Sequence, residues 1–103
     1  MIKLEGKIKQ VFPKETFGAF EKRIFWLEEV AAEGRFANTW QLELWKGDCP
    51  MIDNYKVGDY ITAYVDIKGK SFTKKDGIEA VMNTIKCWNI EKDGITYKQT
   101  TNQ

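Results

Sequence analysis

Two runs in the middle of the chain alternate with a period of two: Trp40-Gln-Leu-Glu-Leu-Trp45 and, after a short polar stretch, Lys56-Val-Gly-Asp-Tyr-Ile-Thr-Ala-Tyr-Val-Asp-Ile-Lys-Gly-Lys70. In the first, Trp40, Leu42 and Leu44 share one face and Gln41, Glu43 and Trp45 the other. In the second, Ile61, Ala63, Val65 and Ile67 oppose Tyr60, Thr62, Tyr64 and Asp66. Successive side chains of an extended strand point to opposite sides, so this pattern specifies half-buried strands. Strands with one apolar face build a small β-barrel or sandwich. The other face bears on function, because a tryptophan and two tyrosines on the solvent side of strands are apolar surface that calls for a partner. Stacking on a ligand supplies one.

At 103 residues the chain makes one domain with a modest core, and its 43% hydrophobic and 30% charged residues are those of a globular protein rather than a disordered one. Sixteen basic against fifteen acidic residues leave a formal net charge of +1, so any basic footprint for a polyanion must be local. The first residues are charged from Lys3 onward and no long apolar run follows. No signal peptide or membrane span is therefore expected, and the cytoplasm is the expected compartment. Cys49 and Cys87, without CxxC spacing, read as two reduced thiols.

Chemistry is bounded by an absence. The chain has no histidine, which removes the usual general base near neutral pH, the usual partner of a nucleophilic serine or cysteine, and the commonest zinc ligand. There is no GxxxxGK[ST] or GxGxxG loop, two cysteines cannot form a four-thiolate zinc site, and no D-x-D-x-D-G loop is present. The expectation is a protein that is not an enzyme and holds no metal or cofactor.

Along the chain, Ile2, Leu4, Ile8 and Phe12 mark an alternating first strand, with Gly6 on the inward face permitting a bend and Pro13 ending it. The stretch from Pro13 to Phe20 reads as a loop, in which Phe17 and Phe20 fold onto the barrel. In the second strand Phe25 and Leu27 are assigned inward, because that phase keeps Glu28 out of the core and leaves Ile24 and Trp26 outside. A turn at Gly34 leads to a third strand from about Phe36 to Trp45. Asp48 is placed as the cap of a single helical turn containing Pro50, a plug for one barrel end. The fourth strand follows Gly58-Asp59, a loop spans Gly69 to Gly77, and in the fifth strand Val81, Asn83, Ile85 and Cys87 alternate with Met82, Thr84, Lys86 and Trp88. Leu4, Ile8, Phe25, Leu27, Leu42, Leu44, Ile61, Ala63, Val65, Ile67 and Ile85 form the expected core. Residues 1–91 make the domain, and 92–103 a partly mobile extension with a short β-like Ile95-Thr-Tyr97.

Five strands, a plug between the third and fourth, and long loops after the first and fourth match an all-β, five-stranded Greek-key OB-fold barrel. The runs Phe25-Trp-Leu-Glu28, Leu42-Glu-Leu-Trp45, Lys56-Val-Gly-Asp59 and Ile85-Lys-Cys-Trp-Asn-Ile-Glu91 resemble a family of short bacterial proteins of unknown function expected to be OB-folds. More distantly, the order and spacing from Thr39-Trp40 to Lys70 are similar to bacterial single-stranded DNA-binding proteins. That resemblance implies a stacking role for the aromatic ending the third strand, here Trp45. Trp40 matches a second such residue if a bulge shifts the strand by one.

The residues themselves point the same way, since every base has a π-face and stacking on an aromatic contributes roughly 1–3 kcal/mol. Candidate stacking residues are Trp26, Trp40, Trp45 and Phe72. Candidate phosphate contacts are Lys22, Arg23 and Arg35 on the second and third strands, with Lys68, Lys70, Lys74 and Lys75 in the last long loop. Each has a plainer interpretation: tryptophans complete small cores, a Lys-Lys pair before Asp-Gly is a solvated turn, and Glu28 and Glu43 near the groove oppose phosphate. The leading expectation is a homo-oligomeric domain binding single-stranded DNA, or RNA, with little sequence preference. The alternative is an OB-fold protein–protein interaction or assembly module in which Ile24, Trp26 and Trp45 form the interface.

Overall fold

The computed structural model describes residues 1–29 and 38–92. Its strands are β1 (Ile2–Val11), β2 (Glu15–Phe17), β3 (Phe20–Glu29), β4 (Thr39–Trp45), β5 (Tyr60–Thr73) and β6 (Glu79–Lys92), with a 3₁₀ helix over Lys46–Asn54. Strand β1 pairs antiparallel with both β3 and β5, β5 with β6, β3 with β4, and β6 runs parallel to β4 at Leu42↔Ile85 and Glu43↔Lys86. These pairings close a sheet of five strands, while β2 attaches to the start of β3. The expected five strands are β1, β3, β4, β5 and β6.

One strand can serve two neighbours because β1 bends. Gly6 lies opposite Glu29 of β3 and Ile61 of β5, and a β-carbon there would run into the Glu28 carbonyl. Beyond it, Ile8 pairs with Leu27 and Gln10 with Trp26, which leaves Lys9 as an extra residue in a bulge. The bulge reverses the alternation. Val11 takes the inward place, packed on the core, and Phe12 moves outside, where its ring meets Trp26 at 4.9 Å. The uninterrupted alternation that put Phe12 inside is corrected by that one residue.

Ile8, Phe25, Leu27, Leu42, Leu44, Ile61, Ala63 and Val65 are buried together, with Leu4 and Ile85 packed against them. The helix closes one end by adding Cys49 and Ile52, and β6 adds Cys87 and Ile90. Trp88 is the extra residue of a second irregularity: Tyr64 faces Asn89 while Val65 faces Cys87, so two core residues three apart both point inward.

Four expectations change. Ile67 has the inward phase but is 55% exposed, because β5 leaves β1 after Val65 and continues with only β6 beside it. Lys70 and Phe72 are strand rather than loop residues, since β5 and β6 pair without interruption to Thr73↔Glu79. Asp48 is not the cap: the helix starts at Lys46 after Trp45, whose side chain makes no capping bond, and Asp48 sits in its first turn. The stretch before Phe20 is a hairpin of β2 and β3, turning at Gly18 with φ 62°. The Gly34 turn, Arg35, Phe36 at the expected start of the third strand, Ile95-Thr-Tyr97 and the tail lie outside the described residues.

Candidate nucleic-acid interface

Pairing places the outward residues of four strands side by side. Across β3 and β4, Lys22 faces Trp45, Ile24 faces Glu43 and Trp26 faces Gln41. The parallel pairing sets Lys86 beside Glu43, and in the β5–β6 hairpin Lys68 faces Thr84 and Lys70 faces Met82. A concavity of about 290 Å³ opens on this surface. Its walls are Phe20 and Lys22 of β3, Glu43 and Trp45 of β4, Lys68 to Lys70 of β5, and Met82 and Thr84 of β6.

The tryptophan in this groove is held from several sides. Its Nε1 donates to Glu43 Oε1 at 2.9 Å, the Phe20 ring meets it at 5.5 Å and 72°, and Lys86 Nζ lies 5.2 Å from its ring centre. Such a cation over an indole face is attracted by the ring quadrupole. Glu43 also has Lys22 Nζ 4.0 Å from its second oxygen, and that lysine lies 5.3 Å from the Phe17 ring. Lys22, Lys68 and Lys70 thus line the concavity together with the carboxylate of Glu43, and Lys86 lies beside it over Trp45, with Asp66 opposite Lys86 in the hairpin. The field over the groove is positive although the chain is nearly neutral.

Of the sequence candidates, Lys22, Trp45, Lys68 and Lys70 come together here. Phe72 is 43% exposed on the same face, one alternation beyond Lys70. Lys74 and Lys75 sit at the hairpin turn, where Lys74 exchanges backbone hydrogen bonds with Gly77 and Ile78 and neither side chain lines the groove. Trp26 is outward but further along the sheet, its Nε1 donating to Gln41 at 3.1 Å. Trp40 is not brought to the groove: it keeps the inward phase of Leu42, packs on the core, and donates Nε1 to Glu29 at 2.9 Å. Arg23 is committed elsewhere, its guanidinium reaching Asp53 at 2.7 Å and the Phe12 carbonyl at 3.0 Å, which ties β3 to the helix. Arg35 lies outside the described residues.

Phe20, Met82, Thr84 and Lys86 were not singled out from sequence. Alternation placed the last three on the outer face of their strand. What sequence did not supply was the neighbour, because the parallel contact between β4 and β6 joins residues far apart in the chain through two register pairs only.

The thiols are free and buried. Burial pushes Cys87 up from 9.0 to about 12, and burial followed by the charge of Glu21 also raises Cys49, so neither is an activated nucleophile. Tyr64 is raised because its hydroxyl donates to Glu91 at 2.7 Å. Among the described residues no group of three or more His, Cys, Asp or Glu side chains is placed to hold a metal, and no helix is long and apolar enough to cross a membrane.

A search of curated proteins finds no match. Among solved structures the chain is similar to the mitochondrial single-stranded DNA-binding protein Rim1 from S. cerevisiae, with a TM-score of 0.66 and 14% identity over 88% of this chain and 91% of that one. At this identity the likeness shows the fold: a closed five-stranded sheet of the OB type with a short helix between β4 and β5. A domain of unknown function, DUF3127, matches residues 3–91, and the chain belongs to that family.

Proposed function

We propose that this domain binds single-stranded nucleic acid, DNA before RNA, with little sequence preference and without catalysing a reaction on it. The observation that carries this is Trp45 lining a positively charged groove with Lys22, Lys68 and Lys70 on its walls. An aromatic platform offers a surface to any base, and lysines on either side track the phosphates. The similarity to a protein described as single-stranded DNA-binding supports the same reading. In this proposal the protein works in the cytoplasm as a homo-oligomer, in DNA replication, recombination or repair.

Titrating intrinsic tryptophan fluorescence with oligo-dT at two salt concentrations tests it. Quenching that weakens as salt rises is expected, since each phosphate contact releases counterions, and duplex DNA should bind far more weakly. No quenching and no mobility shift with oligo-dT or oligo-rU at low salt would remove the proposal. A second reading, an assembly module, is favoured by the exposed apolar residues of the β5–β6 hairpin, Ile67, Val81 and Met82 among them. A hydrophobic interface would not show the salt dependence.

A further inference from the structure

We infer that Glu43 biases the groove toward bases that present an amino group, cytosine over thymine or uracil. This rests on the base-binding proposal and adds a selectivity to it. The carboxylate is an odd component of a phosphate-binding surface, yet it stands in the middle of this one, only 17% exposed and facing the concavity. It is bonded to the rim of the indole through Trp45 Nε1, so whatever stacks on Trp45 lies beside it. Its charge repels phosphates toward Lys22 on one wall and Lys68 and Lys70 on the other. What remains against Glu43 is the edge of a base.

An ionised carboxylate only accepts hydrogen bonds, and each oxygen has two acceptor positions, so the bond from Trp45 and the nearby Lys22 leave capacity for more. Cytosine offers its N4 amino group, a pairing that carboxylates use in reading that base. Thymine and uracil offer one N–H between two carbonyl oxygens, and those carbonyls face the carboxylate unfavourably. The structure thus holds a donor-seeking group at the stacking position, above a backbone-tracking surface that is indifferent to sequence.

Fluorescence titrations with oligo-dC and oligo-dT of equal length, at one salt concentration and neutral pH, on the wild type and on Glu43→Gln, test this. The amide keeps an oxygen for Trp45 Nε1, so the indole stays in place while the charge is lost. The wild type should favour oligo-dC by about tenfold, the ratio given by one modest charge-assisted hydrogen bond. Glu43→Gln should bring the ratio of affinities close to one and strengthen binding to oligo-dT, because a negative charge leaves the groove. A ratio that Glu43→Gln leaves unchanged, or a wild type that prefers oligo-dT, overturns the inference while base binding stands. Failure of both oligonucleotides to bind the wild type overturns base binding and the inference with it.

Discussion

Single atoms decide whether this sheet closes. Gly6 is where β1 crosses from one partner to the other, and the atom its missing β-carbon would meet is a backbone carbonyl, which cannot swing aside. Gly6→Ala should therefore cost about 1–3 kcal/mol or more in urea unfolding, a large effect for one methyl group. Trp45 is the opposite case. It is half-buried on the outer face and opens no core cavity, so Trp45→Ala should leave the domain folded, less stable only by its lost contacts with Phe20, Glu43 and Lys86, while weakening binding to single strands by roughly 1–3 kcal/mol. The buried thiols carry a pH signature. Folding raises Cys87 from 9.0 to about 12, so the unfolded chain loses this proton first. Its contribution to stability is complete below the ordinary thiol value and declines as pH rises from there toward about 12. Comparing urea midpoints of the wild type and Cys87→Ala across that range should show the steeper alkaline decline in the wild type, and parallel curves would contradict it.

At the scale of elements, the lysines separate by position along one hairpin. Lys68 and Lys70 face the groove from β5, whereas Lys74 and Lys75 cap its far turn. Replacing the first pair with alanine should lower the log–log salt slope for single strands by about 0.7 for each phosphate no longer neutralised, and replacing the second pair should change it less. Equal effects would mean that the bound strand runs out to the tip. This distinction was hidden in the sequence, where Gly69 to Gly77 looks like a loop; continuous pairing to Thr73↔Glu79 makes most of it strand. Elements whose two faces differ, such as β4 with Leu42 and Leu44 against Glu43 and Trp45, were legible because burial imposes the period of two. The bulge at Lys9 and the irregularity at Trp88 were not, since an inserted residue shifts the phase without changing composition. Part of the groove shared that fate. Trp45 and Lys22 lie on strands joined directly by antiparallel pairing, while Met82, Thr84 and Lys86 arrive through closure of the sheet.

The described residues are elongated, 57 by 30 by 23 Å, since the two 14-residue strands of the β5–β6 hairpin outrun the barrel. Along this arm no described residue covers the inward phase. Ile67 is 55% and Val81 67% exposed, both on the face opposite Lys68, Lys70 and Met82. Exposed apolar side chains on a projecting two-stranded ribbon weaken a solitary chain and favour association, so the proposed homo-oligomer should bury this face. Sedimentation of the wild type at micromolar concentration should give a dimer or larger species. Ile67→Lys combined with Val81→Lys should yield single chains, because neither residue supports the closed core and a charge on each side of the contact is costly to bury. Since these positions face away from the groove, quenching by oligo-dT should persist at each site in the variant. A wild type that sediments as a single chain would remove the oligomer, and a variant that remains assembled would move the interface to another face of the barrel.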